Sequence, residues 1–579
     1  MSLVRALATV AGDTTGHGIR LFRGEEEVER VPFDLLYEQA GALAQGLREH
    51  GVQRGDRVAI ALPTSVDFAR AFFGVLAAGA VAVPLPPPVR FASLDIHLGR
   101  ISLAMRQSKV RVVVSDAALG KLLAPTLGGV GGEFEVLDVA QLAAAEPYYA
   151  DVPAQAPALI QYTSGTSAHP KGVVLSHANL LANVGAIGTA LGVTPAEVSC
   201  SWLPLFHDMG LIGMFLTPVL NGAETLLLPP EDFLRDPGRW LRLISRHRAT
   251  ASTAPHSGYL YALRKIPAAE VGALDLSSWR VALNGAEPID PDTLRRFSAH
   301  FAPAGFRPTA FLPVYGLAEG SLAVTFPPLG RPVRSLWVRR GPLADGVVEA
   351  VPPPAHPSPS GPTVEPGGGG DGSVRELVSV GTPVTDTDVR LVDAEGSELT
   401  GDDRVGELHI RGAAVTRGYE AGEEAGRDTV HPGGWVSTGD LGLRRDGEYF
   451  IVGRTKEVII VFGQNYYASD IELVAGRVPG VANHAVLATS LTSADGEGLA
   501  LVAETKEADP AVRAELVGHL RHAVSDAVGI SPRKVILVRR GTLPRTSSGK
   551  LRRHGTRALV DAEEGATTGD GPHTRRDTP

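Results

Sequence analysis

Short apolar segments alternate with amphipathic stretches near the start of the chain, and this alternation limits the fold more than any other feature. Residues 32–51 have apolar side chains at helical spacing, namely Leu35, Leu36, Ala40, Leu43 and Leu47. An apolar segment follows at residues 58–62, then a helical stretch at 68–76 and a second apolar segment at 80–84. Strand, helix and strand at this spacing are typical of βαβ units. The sequence therefore predicts an α/β fold with parallel sheets through about residue 330.

Composition narrows the class of protein. The chain has 579 residues, enough for a large domain and a smaller one, and its 44% hydrophobic and 21% charged residues fit a soluble globular protein. The net charge of −9 argues against a nucleic-acid partner and against a polybasic membrane patch. Cys200 is the single cysteine, so the chain has neither an internal disulfide nor a cysteine-based metal site, which favours a reducing cytoplasm. No signal peptide is predicted, because residues 1–20 have no apolar core next to a basic region. No transmembrane segment is predicted either, because the most apolar run, residues 71–85, is too short to span a bilayer.

Two polar segments and one boundary divide the chain. Residues 352–372 are rich in proline and glycine and nearly free of large apolar groups, which predicts a disordered insertion. Because folded sequence resumes at Glu376, this insertion lies inside a domain. We place the domain boundary near Arg454, which gives a large N-terminal domain at 1–453 and a small α+β domain at 454–562. Residues 563–579 are predicted to form a disordered tail.

The segment TSGTSAHPKG at residues 163–172 follows an apolar strand and has the composition of a phosphate-binding loop. Glycine lets backbone N–H groups turn toward phosphate oxygens, hydroxyls donate hydrogen bonds and a lysine supplies charge. It is not a Walker A loop, because Lys171 is followed by Gly172. Taken alone, it also fits an ordinary turn after a strand. The predicted phosphate contacts are Thr163, Ser164, Gly165, Thr166, Ser167 and Lys171.

Three further segments carry residues suited to nucleotide chemistry. LPLFHDMG places His207 beside Asp208 in an apolar stretch. NGAEP and YGLAE each end a predicted strand, where an aromatic ring beside glycine can stack on a purine and Glu319 can bind Mg²⁺ through oxygen. Each segment by itself also fits a buried histidine or a turn with an exposed acid. The candidate residues from the last two segments are Gly285, Ala286, Tyr315, Gly316, Leu317, Ala318 and Glu319.

Two segments closer to the C-terminus complete the set. STGDLG offers the carboxylate of Asp440 to a ribose diol, and PRTSSGK places Lys550 in a loop of glycine and serine. Alone, these segments fit a solvated turn and an exposed basic loop.

The order and spacing of TSGTSAHPKG, LPLFHDMGL, NGAEP, YGLAE, STGDLG, GRTKE and PRTSSGK resemble the adenylate-forming superfamily of acyl-CoA synthetases, nonribosomal peptide adenylation domains and luciferases. The resemblance covers residues 32–557. Within the superfamily the chain is most similar to the fatty acyl-AMP ligases, through segments such as SWLPLFHDMGLIG, NGAEPIDPDTLRRF and NYYASDIE. The resemblance implies a large adenylation domain, with parallel-sheet subdomains and a small β-rich subdomain, followed by a small mobile C-terminal domain.

The resemblance also implies a role for each motif. Residues 163–171 would hold the β- and γ-phosphates of ATP, and His207 would lie near the carboxylate of the acid. Gly285, Ala286 and Tyr315 would form the adenine pocket, with Glu319 on Mg²⁺. Asp440 and Arg454 would hold the ribose, Lys456 would be the hinge between domains, and Lys550 would contact the reacting carboxylate and α-phosphate.

The implied reaction is the ATP-dependent activation of a fatty or related carboxylic acid to an acyl-AMP. The acyl group would then pass to an acyl carrier protein in trans, because no phosphopantetheine attachment site is recognisable after Lys550. Two alternatives remain: an acyl- or aryl-CoA synthetase that uses coenzyme A, and a binding module without catalysis. In this chain the stretch after the hinge lacks the arginine and proline usual in fatty acyl-AMP ligases, and His256 replaces their usual asparagine. The identity of the acid is therefore left open.

Overall fold

The structure is a computed structural model that describes residues 1–13, 15–87, 94–128, 134–163, 171–353, 374–420, 429–461, 464–493, 496–545, 551–553, 556 and 559–560. Most of the predicted insertion, the predicted tail, residues 164–167 and Lys550 lie outside these ranges. Within them, no helix is both long and apolar enough to cross a bilayer.

The α-helices follow from apolar periodicity and capping. In the first long helix Leu36, Ala40, Leu43 and Leu47 are buried as predicted, whereas Leu35 is 38% exposed because it lies beside the buried stripe. A π-helical segment spans Met209–Leu216. The α-helices are α1 Leu3–Ala11, α2 Phe33–Glu49, α3 Val66–Ala77, α4 Leu94–Gln107, α5 Ala117–Gly128, α6 His177–Leu191, α7 Thr217–Leu220, α8 Pro230–Arg235, α9 Gly238–His247, α10 His256–Lys265, α11 Ala268–Val271, α12 Pro291–Phe301, α13 Arg340–Ala344, α14 Ala468–Gly476 and α15 Pro510–Val528.

The strands of the first half of the chain are mostly short and buried, as the apolar runs predict. These strands are β1 Gly18–Arg23, β2 Glu26–Pro32, β3 Arg57–Ala61, β4 Val81–Pro84, β5 Val112–Ser115, β6 Glu135–Asp138, β7 Pro157–Tyr162, β8 Gly172–Ser176, β9 Val198–Ser201, β10 Glu224–Leu227, β11 Ala251–Pro255, β12 Val281–Gly285, β13 Phe311–Pro313, β14 Tyr315–Gly316 and β15 Ala323–Phe326.

The strands of the second half are longer and pair mainly with antiparallel neighbours. These strands are β16 Ser335–Arg339, β17 Ala350–Val351, β18 Val374–Pro383, β19 Thr387–Val392, β20 Glu398–Leu399, β21 Gly406–Gly412, β22 Val430–His431, β23 Trp435–Arg445, β24 Glu448–Arg454, β25 Val458–Val461, β26 Gln464–Tyr467, β27 Val481–Ser493, β28 Gly496–Thr505 and β29 Lys534–Arg539.

Two mainly parallel sheets form the first part of the molecule. The strand order is β13-β12-β11-β9-β10-β1-β2 in one sheet and β6-β5-β3-β4-β7-β8 in the other, and only the end pairs β1/β2 and β7/β8 are antiparallel. Helices α2 and α3 pack together and contribute Leu43, Phe72 and Phe73 to a large buried cluster. The prediction of an α/β fold with parallel sheets is confirmed.

An 11-stranded sheet built from β14–β24 follows, and it is the predicted β-rich part. The last part of the chain forms a separate sheet, β27-β28-β29, against which α14 and α15 pack. Tyr467 lies beyond the predicted boundary but shares a buried cluster with Val338, Leu343 and Val452, and its hydroxyl donates to the Leu343 carbonyl at 3.2 Å. Side chains from both sides of the predicted boundary are therefore packed together.

The sheet order determines where polar residues gather. Strands β13, β12, β11 and β9 are neighbours, and Tyr315, Ala286, His256 and His207 come after their respective carboxyl ends. Parallel strands expose their carboxyl ends at one edge, where open α/β sheets form ligand crevices. This edge faces the 11-stranded sheet and the C-terminal part of the chain across a cavity.

Candidate active site

The cavity has a volume of about 1300 Å³ and is lined from three parts of the molecule: the parallel-sheet edge, the 11-stranded sheet and the C-terminal part. The predicted site residues in its lining are Thr163, Lys171, His207, Gly285, Ala286, Tyr315, Gly316, Leu317, Ala318, Glu319, Asp440, Arg454 and Lys456. The structure thus gathers every predicted site residue that lies within the described ranges. Their individual roles stay predictions.

The predicted phosphate loop connects the antiparallel strands β7 and β8. Tyr162 pairs with Gly172, and the Thr163 N–H donates to the Lys171 carbonyl at 3.1 Å, so both ends of the loop are fixed by backbone hydrogen bonds. The Lys171 ammonium lies 5.1 Å from the centroid of the Tyr419 ring. This arrangement keeps the positive charge of Lys171 at the cavity wall.

The predicted adenine wall is built from sharp turns at strand ends. Ala286 has φ 67°, a left-handed conformation that is unusual for a residue with a side chain and that is typical of functional sites. Gly316 cannot be replaced, because a Cβ atom there would lie 1.9 Å from the Leu322 carbonyl oxygen. Tyr315 is buried beside them, and its hydroxyl donates to Asp440 Oδ2 at 2.7 Å. The tyrosine ring is therefore held in one orientation.

Asp440 connects the predicted adenine wall to Arg454 at the end of β24. Its Oδ1 accepts from Arg454 Nε at 2.7 Å, and the two residues are also paired across β23 and β24. The Asp440 charge raises the pKa of Arg454, although burial acts in the opposite direction. Arg454 nevertheless keeps 48% of its side chain exposed, so the pair can contact a ligand in the cavity.

Two more carboxylates, those of Asp208 and Glu319, line the cavity. Asp208 Oδ1 lies 2.6 Å from His207 Nδ1 and accepts the Met209 N–H at 2.7 Å, which fixes the imidazole next to the start of the π-helix. Glu319 Oε1 accepts from the Tyr419 hydroxyl at 2.9 Å. Burial raises the pKa of Glu319, and the negative charges of Asp208 and Asp440 act in the same direction.

The residues present fit a magnesium ion bound together with a nucleotide. Among the described residues, no group of three or more histidine, cysteine or carboxylate side chains could hold a metal ion unaided. Mg²⁺ in nucleotide sites is usually bound by one or two carboxylates plus the substrate phosphates, so an all-protein site is not required. Glu319 is the suitable protein ligand, because a cation would offset the cost of its burial and the repulsion from neighbouring carboxylates.

The part of the cavity beside His207 is apolar. It is lined by Met209, Met214, Leu260, Leu283 and Leu322, which come from the π-helix, α10, β12 and the turn before β15. Apolar walls with a few polar groups are typical of small-molecule sites. A carboxylic acid could place its alkyl or aryl group here and its carboxylate near His207.

Residues on both sides of the predicted Lys550 loop line the same cavity. Arg545 and Leu551 form an antiparallel bridge across the predicted loop, and Leu551, Arg552 and Arg553 line the cavity. Arg553 is held from two sides: it forms a bidentate pair with Glu472 of α14, and its Nε lies 3.1 Å from Glu457, next to Lys456. One arginine therefore ties the Lys550 segment to the predicted hinge.

Replacing Arg553 with methionine should lower the rate of acyl-AMP formation on the order of tenfold, because the ion pairs that hold the chain three residues after Lys550 would be lost. The ATP KM should change much less, since Arg553 is paired with protein carboxylates. Steady-state kinetics of pyrophosphate release would measure both quantities. Arg553→Lys keeps the charge but not the bidentate geometry, so its rate of acyl-AMP formation should lie between those of the wild type and Arg553→Met. An Arg553→Met enzyme with the wild-type rate would show that the ion pairs do not position Lys550.

Several residues of the site carry no sequence signal. Tyr419, which contacts both Glu319 and Lys171, lies in an unremarkable Arg-Gly-Tyr-Glu stretch, and Glu472 and Arg553 are 81 positions apart.

Comparison with known proteins gives a consistent result. The model of the AMP-binding enzyme family matches residues 14–420. A medium-chain-fatty-acid–[acyl-carrier-protein] ligase, JamA of Moorena producens, is 34% identical over 93% of this chain and 91% of its own length. A 4-hydroxyphenylalkanoate adenylyltransferase of Mycobacterium marinum is 35% identical over 91% of this chain and 85% of its own length.

Similarity in three dimensions agrees with the sequence. A structure from work on fatty acyl-adenylate ligases of E. coli and L. pneumophila has a TM-score of 0.88 and 30% identity, and the match covers 98% of both chains. A fatty acyl-adenylate ligase from L. pneumophila in complex with acyl adenylate and pyrophosphate has a TM-score of 0.72 and 29% identity, covering 97% of this chain and 96% of that one.

Proposed function

This chain belongs to the AMP-binding enzyme family, among its fatty acyl-AMP ligases, and we propose that it joins a fatty acid to AMP and then passes the acyl group to an acyl carrier protein. The observation that carries the proposal is one cavity that combines an apolar wall with Thr163 and Lys171, the Tyr315 ring and the Asp440–Arg454 pair. A nucleotide and an acid can therefore be held side by side.

In the first half-reaction a carboxylate oxygen of the acid attacks the α-phosphorus of ATP, and the bond to pyrophosphate breaks. The attack brings anions together, so the main task of the site is to place positive charge where negative charge develops. Lys171 at the end of the predicted phosphate loop and Lys550 in the C-terminal part of the chain supply this charge. A Mg²⁺ ion bound at Glu319 would add charge neutralisation at the phosphates.

Orientation of the reactants rests on groups that the structure already holds in place. Tyr315, which is fixed through Asp440, would offer an aromatic face to the adenine, and the linked pair of Asp440 and Arg454 would bind the ribose. His207 is held by Asp208 beside the apolar wall and can donate a hydrogen bond to the acid. Reaction within such a pre-formed arrangement avoids most of the entropic cost of bringing the two substrates together.

In the second half-reaction a thiol attacks the acyl carbonyl, the thiol loses its proton, and AMP leaves. The predicted hinge at Lys456 gives the C-terminal part a means to move Lys550 away and present another face to the acceptor. The proposed acceptor is the phosphopantetheine arm of a carrier protein. The relative from Moorena producens, named as an acyl-carrier-protein ligase, supports this choice.

The test is to incubate the enzyme with ATP, Mg²⁺ and a panel of carboxylic acids and to detect acyl-AMP by mass spectrometry. Acyl-AMP should form with fatty acids, and acyl transfer should be at least tenfold faster to a phosphopantetheinylated carrier protein than to coenzyme A, which equals about 1.4 kcal/mol in barrier height. The carrier protein without phosphopantetheine is the matched control. Efficient acyl-CoA formation would instead identify an acyl-CoA synthetase, and absence of acyl-AMP with every acid would indicate a non-catalytic binding protein.

A further inference from the structure

A pair of polar side chains lies within the wall of the acyl part of the cavity. His256 begins α10 directly after β11, and Asn284 belongs to the neighbouring strand β12, where it is paired in register with Ala254. His256 lines the cavity but is only 8% exposed, and Asn284 is fully buried. The amide nitrogen Nδ2 of Asn284 lies 3.3 Å from Nδ1 of His256. This histidine–asparagine pair forms a polar spot beside the apolar residues Leu260 and Leu283.

Other polar groups nearby are already engaged. The Thr253 hydroxyl donates to the Leu283 carbonyl at 3.1 Å. The Ser257 hydroxyl and N–H donate to the two carboxylate oxygens of Glu287 at 3.1 and 2.7 Å. Neither Thr253 nor Ser257 therefore has a free donor for the acid.

The histidine–asparagine pair, in contrast, keeps unused hydrogen-bonding capacity. Within the described part of the chain, the buried Oδ1 of Asn284 has no partner, and the hydrogen bonds of His256 involve Nδ1 alone. Exchanging the amide oxygen and nitrogen of Asn284 leaves the same number of atoms without a protein partner, because one amide atom and the His256 Nε2 stay unpaired in either orientation. His256 lines the cavity whereas Asn284 does not, so the ring of His256 is the part of the pair that a ligand can contact. A polar atom that loses water without gaining a partner costs about 1–3 kcal/mol, so a ligand that hydrogen-bonds to this ring gains affinity.

The protonation state determines what the pair can offer. Burial lowers the pKa of His256, with a smaller contribution in the same direction from Arg477, although Asp290 and Glu287 act to raise it. The ring is therefore neutral near pH 7 and carries one N–H. When Nδ1 accepts from the Asn284 amide, that proton is on Nε2, on the other side of the ring. An N–H donor on Nε2 selects for an oxygen atom as its partner.

We propose that His256, oriented by Asn284, forms a polar subsite of the acyl cavity that binds an oxygen substituent on the carboxylic acid. This inference rests on the proposed function, since it concerns the acid that is adenylated. The substituent is a hydroxyl or a carbonyl oxygen, borne either on an alkyl chain or on an aromatic ring. An unsubstituted chain would leave the Nε2 N–H of His256 without a partner on the acid, whereas a site built to hydrogen-bond an oxygen discriminates against acids that lack it.

The experiment compares matched acids. The straight-chain acid that the wild type activates best among hexanoic to hexadecanoic acids is tested beside its 2-hydroxy, 3-hydroxy, 3-oxo and ω-hydroxy derivatives. The pair of 4-phenylbutanoic and 4-(4-hydroxyphenyl)butanoic acids tests an aromatic oxygen. At least one oxygenated acid should have a kcat/KM for pyrophosphate release about tenfold above that of its unsubstituted partner. Equal values within every pair would overturn the proposal.

Variants then test whether the pair is responsible. His256→Leu should lower kcat/KM for the preferred oxygenated acid about tenfold and leave the unsubstituted acid nearly unchanged, so the second acid reports on folding. His256→Gln, which retains an N–H at a similar distance, should keep part of the preference. Ser257→Ala, which changes the neighbouring side chain, should keep all of it. A His256→Leu enzyme with the wild-type preference would refute the subsite.

The outcomes distinguish this inference from the function on which it rests. If no acid of either series yields acyl-AMP, the proposed function is wrong. If acyl-AMP forms but the oxygen substituent has no effect, only the polar subsite is wrong. A preference confined to the aromatic pair or to one alkyl position would identify which kind of acid the subsite accepts.

Discussion

Replacing Lys550 with alanine is expected to lower the rate of acyl-AMP formation on the order of 10²-fold or more, the loss seen when a group that stabilises transition-state charge is removed. The expectation rests on the surroundings of the predicted loop. Arg545 and Leu551 pair across it, and Leu551 lines the cavity next to the candidate nucleotide residues. Single-turnover measurement of acyl-AMP would report the chemical step directly. The ATP KM should change less, because Lys171 and Arg454 also contact the nucleotide in the proposed arrangement.

The comparison needs a control lysine from the same part of the chain. Lys506 is exposed after β28 and does not line the cavity, so Lys506→Ala should retain the wild-type rate. The acyl-transfer step offers a second control. When acyl-AMP is supplied directly, Lys550→Ala should transfer the acyl group at close to the wild-type rate, since the lysine acts in adenylation. A Lys550→Ala enzyme that forms acyl-AMP normally would contradict the assignment.

Glu319→Gln is expected to reduce adenylation by a similar factor, on the order of 10²-fold, and to raise the Mg²⁺ concentration needed for half-maximal activity. Glutamine preserves the shape of the side chain and can still accept from the Tyr419 hydroxyl, so the change isolates the negative charge. The Mg²⁺ dependence of pyrophosphate release at saturating ATP would measure the effect. Unchanged magnesium dependence would place the metal site elsewhere.

Although Glu319→Gln should lower activity, we expect it to preserve or increase the stability of the fold. Burial raises the pKa of Glu319 above its unfolded value, so the folded protein binds the proton more tightly than the unfolded chain. The stabilisation from this protonated form is complete below the unfolded pKa and is lost as the pH rises through the folded pKa. At neutral pH without metal, the uncharged glutamine of the Glu319→Gln variant avoids burying a charge, so its melting temperature should equal or exceed that of the wild type.

Thermal unfolding in EDTA at pH 5 and pH 8 would test the direction of this pH dependence. The melting temperature of Glu319→Gln relative to the wild type should increase from the lower to the higher pH. Tyr419→Phe is a useful companion, because it removes the hydrogen bond to Glu319 but keeps both the ring and the carboxylate. A large loss of stability in Glu319→Gln at neutral pH would mean that the fold requires the carboxylate.

Much of the fold could be predicted because its signals are local. Helix α2 and strands β3 and β4 lie within two residues of the predicted positions, since apolar periodicity depends only on neighbours along the chain. Leu35 shows the limit of this reasoning: its spacing fitted the buried stripe, but the exposed side of a helix is decided by what packs against it. Packing likewise decides that Tyr467 joins a cluster with Val452 across the predicted boundary.

The order of the motifs determined the enzyme class, because each motif carries a recognisable set of residues at a fixed place in the chain. The sequence alone therefore predicts Thr163, Glu319 and Asp440 as site residues. The hydrogen bond between Tyr315 and Asp440 joins residues 125 positions apart, and that between Tyr419 and Glu319 joins residues 100 positions apart. Such contacts depend on how strands and turns that are distant in sequence come together in the folded chain.

For the histidine–asparagine pair too, the sequence predicts one part and the tertiary structure decides the other. The sequence places His256 after one strand and Asn284 within another, and it marks the histidine as a departure from related enzymes. It does not show that the two strands are neighbours in register, that both side chains are buried, or that an amide oxygen is left without a partner among the described residues. Strand pairing decides these facts, because only after the chain folds do residues 28 positions apart come within hydrogen-bonding distance.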